Sequence, residues 1–153
     1  MSRSEELELF LQNLGESPSF ENVDFSDINA TNSEGENALH MAISNGNIEI
    51  ARELIALAIN VNPRGDLGRT PLHDAAAIGD MALVELLVDS GADLFALDEG
   101  VPPFTLARYS NNDDICDYLA GKMKAIQGAD RSDWAKAQIS YLEREIERLR
   151  QIS

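Results

Sequence analysis

Residues 35–42 return twice further along the chain. Gly35-Glu36-Asn37-Ala38-Leu39-His40-Met41-Ala42 recurs 33 residues later as Gly68-Arg69-Thr70-Pro71-Leu72-His73-Asp74-Ala75, and after a further 32, weakened, as Gly100-Val101-Pro102-Pro103-Phe104-Thr105-Leu106-Ala107. The register persists downstream, where Gly46, Gly79 and Asn111 align, then Ile50, Leu83 and Ile115, then Leu54, Leu87 and Leu119. A period of this length describes an array of small units. One such unit cannot bury its own apolar face, so neighbours must stack.

Each unit reads as two short helices. The first opens near Thr70-Pro71, where threonine suits the helix cap and proline the first turn, and Gly79 closes it. The second carries Met81, Leu83, Val84, Leu86 and Leu87 at helical spacing and stops at Ser90-Gly91. With these residues in view, Gly68-Arg69-Thr70-Pro71-Leu72-His73-Asp74-Ala75-Ala76 and Gly91-Ala92-Asp93-Leu94 resemble the ankyrin signature. The resemblance is strong over residues 65–96. Over 32–64 it is good, with Asn37-Ala38 in place of Thr-Pro and Ala58-Ile59-Asn60-Val61-Asn62 in place of Gly-Ala-Asp-Val-Asn. Over 97–120 it is moderate, with Phe104 and Thr105 in place of Leu and His.

The resemblance implies an all-α ankyrin-repeat solenoid of about three helix-turn-helix repeats joined by β-turn fingers. Residues 1–31 are expected to form a degenerate N-terminal capping repeat, because Asp27-Ile28-Asn29-Ala30 resembles the end of a preceding unit and Glu5 to Asn13 suits a helix. Repeats over 32–64, 65–96 and 97–120 follow, then a linker and C-terminal amphipathic helix over 121–153. In this register Leu39, Ala42, Leu54, Leu72, Ala75, Leu87, Ala107 and Leu119 should be buried between stacked helix pairs.

Charge narrows the function. The 12 basic and 27 acidic residues give a net −15, a field that repels nucleic-acid phosphates and anionic membranes. Residues 121–153 hold seven Lys/Arg against five Asp/Glu, so residues 1–120 hold five against 22, a net −17. No apolar stretch approaches the roughly 20 residues that span a bilayer, and Met1-Ser2-Arg3-Ser4-Glu5-Glu6 does not read as a secretory signal. A cytoplasmic location is expected, compatible with the single cysteine, Cys116.

A stack of this kind offers a long concave surface of turn tips and exposed first-helix positions. The family resemblance gives that face the recognition role. Carried over by position, the partner-binding set is Ser33, Glu34, Glu36, Ser44 and Asn45 in the first unit, and Asp66, Leu67, Arg69, Ala77 and Ile78 in the second. In the third it is Asp98, Glu99, Val101, Tyr109 and Ser110. Tyr109 and Ile78 are the more informative members, since aromatic and apolar side chains anchor interfaces better than isolated charges. Among the tips, Glu34, Glu36, Asp66, Asp98 and Glu99 outnumber Arg64 and Arg69, although the two arginines make the middle turn locally basic.

Catalysis, metal binding and cofactor binding are not expected. His40 and His73, one period apart, are the only histidines, and no other His or Cys completes a zinc site; in the ankyrin pattern this histidine links adjacent turns by hydrogen bonds. Cys116 lies on the stripe of Ile115 and Leu119 without a sequence-local basic neighbour to activate it. Gly65-Asp66-Leu67-Gly68-Arg69-Thr70 lacks the lysine of a phosphate loop.

These readings converge on a non-catalytic module that binds another protein, with a basic surface, through the acidic concave face. An inhibitor or immunity-type protein is one form of it. The alternative is an assembly subunit that self-associates through its C-terminal helix, where Ala135, Ile139, Leu142, Ile146 and Leu149 form one apolar stripe widened by Trp134 and Tyr141. A monomer whose C-terminal helix caps the last repeat is expected over a dimer built through that helix.

Overall fold

The computed structural model describes residues 2–126 together with 143, 144, 146–148 and 150–152. Helix α1 spans Glu5–Gly15, and three helix pairs follow: α2 (Ala38–Ser44) with α3 (Ile48–Ala56), α4 (Pro71–Ile78) with α5 (Met81–Asp89), and α6 (Pro103–Tyr109) with α7 (Asp113–Ala125). The first helices stack in one layer, α2 against α4 against α6, and α1, α3, α5 and α7 stack in the other. The eight positions expected between stacked pairs, Leu39 to Leu119, are all buried. The fold is an all-α solenoid.

Local chemistry sets the helix ends. At α2, where Asn37 replaces threonine, its Oδ1 accepts from the backbone N–H of Leu39 at 3.1 Å and of His40 at 3.3 Å. The same side chain donates from Nδ2 to the Asn60 carbonyl at 3.0 Å, so this cap also ties the first helix to the end of its partner. Gly46, Gly79 and Asn111 close α2, α4 and α6 with φ of 67°, 86° and 58°. Their alignment in the sequence has this cause: the helix terminus needs a left-handed residue, which glycine and asparagine tolerate.

Residues 2–31 contribute one α-helix rather than a pair. A 3-10 turn, Pro18–Phe20, packs against α1, and the rings of Phe20 and Phe25 pack with centroids 5.8 Å apart. Leu7, Leu11 and Leu14 of α1 are buried beside them. The chain then rejoins the common register: Asn29 Oδ1 accepts from the Asn60 N–H at 2.7 Å, the bond that Asn62 Oδ1 makes with the Asp93 N–H at 2.7 Å one unit later.

Two boundaries differ from expectation. Helix α1 runs to Gly15 rather than Asn13, and α7 continues past residue 120 to Ala125. Lys122 and Lys124 occupy the last turn of α7, where cations favour the partial negative charge of a helix C-terminus. Of the C-terminal stripe only Ile146 is described, within a helical segment, and it is 51% exposed, as is Ile152 at 72%. Ile146 is therefore not buried against the last repeat. Trp134, Ala135, Ile139, Tyr141, Leu142, Glu145 and Leu149 lie outside the described residues.

Candidate protein-binding surface

The turn fingers are closed by backbone bonds: Asn32 N–H to the Glu36 carbonyl (2.9 Å), Gly65 N–H to the Arg69 carbonyl (2.8 Å), and Asp98 N–H to the Val101 carbonyl (3.0 Å). The last closure spans one residue fewer, and that deletion shortens the second period from 33 to 32. Neighbouring fingers approach closely. A Cβ at Gly68, φ 92°, would stand 2.6 Å from the Leu97 carbonyl oxygen.

Histidine locks each finger to the next. His73 Nδ1 accepts from the Thr70 N–H at 3.1 Å, and its Nε2 lies 2.9 Å from the Val101 carbonyl of the following finger. A carbonyl only accepts, so Nε2 carries the proton and the ring is neutral. His40 repeats the arrangement, with Asn37 N–H at 3.3 Å and the Arg69 carbonyl at 3.1 Å. Burial is the largest influence on both rings and lowers their pKa below the usual histidine value, against the carbonyl bond that raises it. All four ring nitrogens are engaged, which leaves none to ligate a metal. Cys116 is half-buried, and burial together with Asp113 and Asp117 raises its thiol pKa, the opposite of nucleophile activation.

Arg69 is tied into the array. Its guanidinium pairs with Asp74 on α4 and, at 3.0 Å, with Asp98 on the next finger. Arg64 pairs with Asp93 at 3.5 Å. The middle turn is therefore not locally basic, because both of its cations already have carboxylate partners. Asp98 and Glu36 are half-buried, the latter accepting from Asn32 Nδ2 at 3.0 Å. Among the described residues, the exposed charges at the finger tips are Glu34, Asp66 and Glu99, together with Arg64, which is paired with Asp93.

Along the first helices and their C-terminal caps, positions three and four residues apart share one face. Ser44 and Asn45, Ile78, and Tyr109 and Ser110 are exposed there, while Met41, Asp74, Ala77 and Leu106 are partly exposed. Because the three helices stack in register, these positions form three rows along the solenoid. Most of the expected residues sit on this surface: Ser33, Ser44, Asn45, Ser110 and Leu67 are exposed, as are Ile78 and Tyr109. Val101 is a correction. It is buried at 7% exposure, its carbonyl holding His73 and its N–H the Asp98 carbonyl, so its side chain turns inward. The row of Met41, Asp74 and Leu106 escaped the sequence reading, although it stands just one turn ahead of Ser44, Ala77 and Tyr109.

A family model described as ankyrin repeats in three copies matches residues 3–98. The chain belongs to the ankyrin-repeat family. Ankyrin repeats are protein-interaction modules, and the match takes in the N-terminal segment with its single α-helix as well as the two best-formed repeats. Among similar proteins, the RelA-associated inhibitor of Mus musculus is 44% identical over 73 residues, which are 48% of this chain and 9% of that protein. The chain thus spans under a tenth of that relative's length. Notch-regulated ankyrin repeat-containing protein A of Danio rerio is 36% identical over 93 residues, 58% of this chain and 83% of the relative. Its counterpart in Xenopus laevis is 36% identical over 88 residues, covering 54% and 77%. Among the described residues, no helix is long and apolar enough to cross a membrane.

Proposed function

We propose that this ankyrin protein is a non-catalytic binding module that engages a basic protein surface through its finger tips and first helices. The observation that carries this reading is the pairing of Arg69 with Asp74 and Asp98 and of Arg64 with Asp93, which leaves Glu34, Asp66 and Glu99 as the exposed tip charges outside those pairs. Residues 1–120 add a net −17, a field that steers a cationic partner toward the array and speeds association more than it strengthens the complex. Masking of the partner's surface, an inhibitor or immunity-type role, is the form we favour; the mouse relative bears the name of an inhibitor.

Co-purification from native cells followed by mass spectrometry should return a stoichiometric partner rich in surface Lys and Arg. With that partner, the triple variant Glu34→Lys, Asp66→Lys, Glu99→Lys should lower the association rate at low salt by about tenfold or more, while leaving the melting temperature close to that of the parent. Asp98 is left intact because its reversal breaks the tie to Arg69. An unchanged association rate in the folded triple variant removes the acidic face from recognition. A second reading, self-association through the C-terminal helix, is favoured by the exposure of Ile146 and Ile152.

A further inference from the structure

The apolar side chains on the recognition face are unevenly placed. The first repeat offers the partly exposed Met41 with Ser44 and Asn45, whereas in the next two repeats the equivalents of Ser44 and Asn45 are Ala77 with Ile78 and Tyr109 with Ser110, and the row that begins at Met41 ends in Leu106. Ile78 is 53% exposed and Tyr109 is 61% exposed. At the middle finger tip, Leu67 is 60% exposed and held at φ 58°, ψ 13°. That residue carries two costs at once. A left-handed backbone disfavours leucine relative to asparagine or glycine, and water disfavours its side chain. Strain retained at an exposed position points to a use outside the fold.

Resting on the function proposed above, we infer that the bound element is a basic amphipathic helix lying along the stack across the second and third repeats. Its apolar stripe packs on Ile78, Leu106 and Tyr109 and its Lys/Arg edge faces Leu67 and the carboxylates Asp66 and Glu99. The spacing agrees: stacked helices stand about 8–10 Å apart, and seven residues of helix rise about 10.5 Å, so apolar residues one heptad apart meet successive repeats. Large apolar side chains seated in an acidic surround match the division of an interface into an apolar core and a polar rim. The acidic tips exclude an equally apolar but anionic helix, since like charges brought together there are repelled.

Two lysine-leucine peptides of identical composition test this on the full chain by fluorescence anisotropy, one with its leucines in a heptad stripe and one scrambled. The striped peptide should bind at least about tenfold more tightly than the scrambled one, and Ile78→Asn with Tyr109→Ser should abolish that preference. Leu67→Asn should weaken the striped peptide while raising the melting temperature, a pairing that a purely structural role for Leu67 does not produce. Leu9→Asn, which removes an equally exposed leucine from α1, should change nothing. Equal binding of both peptides overturns the inference and leaves the acidic-face reading standing. So does a preference for the striped peptide that survives Ile78→Asn with Tyr109→Ser. If neither peptide binds, the acidic-face reading falls as well.

Discussion

Ala58 ends the second helix of the first repeat at φ 61°, where Gly91 performs the same turn one repeat later at φ 93°. A Cβ in that region costs about 1–2 kcal/mol that glycine avoids, offset by about 0.4–1 kcal/mol for the extra freedom glycine gives the unfolded chain, and the methyl group is exposed. Ala58→Gly should therefore stabilise the protein by about 0.5–1 kcal/mol in urea titration. His40 and His73 make the opposite kind of demand. Each must stay neutral to accept a backbone N–H at Nδ1, and burial holds each folded pKa below the ordinary histidine value of 6.5. A lowered folded pKa means the unfolded chain binds more protons in this window. The histidine contribution is thus full above pH 6.5 and is lost as pH falls below it toward the folded pKa. Stability measured from pH 7.5 down to 5 should decline, and the decline should be shallower in His40→Gln with His73→Gln, even though that variant starts less stable.

Elements in this molecule are short, seven to 13 residues for the α-helices, and such helices are marginal in isolation. Their stability comes from stacking. Leu87, fully buried on α5, has α3 on one side and α7 on the other. Leu87→Ala should cost about 2–5 kcal/mol, a large fraction of what a small domain has available, and a melting temperature equal to the parent's rules out this packing. The last pair shows how an element changes where the stack stops. Position by position, Ile43 and Ala76 are buried beneath the next repeat, while Arg108, their equivalent on α6, is exposed. Thr105 likewise replaces the histidine that needs a following finger carbonyl. The resemblance of residues 97–120 to the repeat pattern is moderate because of these substitutions and not through loss of the helix pair.

For the whole molecule, charge is divided between the acidic array and the slightly basic C-terminal stretch, −17 against +2. Arrays carrying that charge repel one another, so association between copies falls to the C-terminal stretch, whose exposed Ile146 lies among charges of both signs. Sedimentation velocity over a range of concentrations decides the matter. A dimer that disappears in Ile146→Asp establishes self-association, whereas a single monomeric boundary in both proteins leaves partner binding through the acidic face as the function.

The period of 33, the His and Gly positions and the leucine spacing were enough by themselves to determine the helix pairs, their order and the buried set, because each arises from a local rule repeated in register. Most of the exposed surface was legible in outline for the same reason, since a position exposed in one repeat tends to be exposed in the next, with Arg108 against Ile43 and Ala76 the exception. Contacts between repeats lay beyond sequence periodicity. Nothing local says that Arg69 reaches Asp98 across 29 residues, or that Val101 surrenders its carbonyl to His73 and turns inward. Only stacking brings those groups together, and it decides which of the many charges remain exposed for a partner.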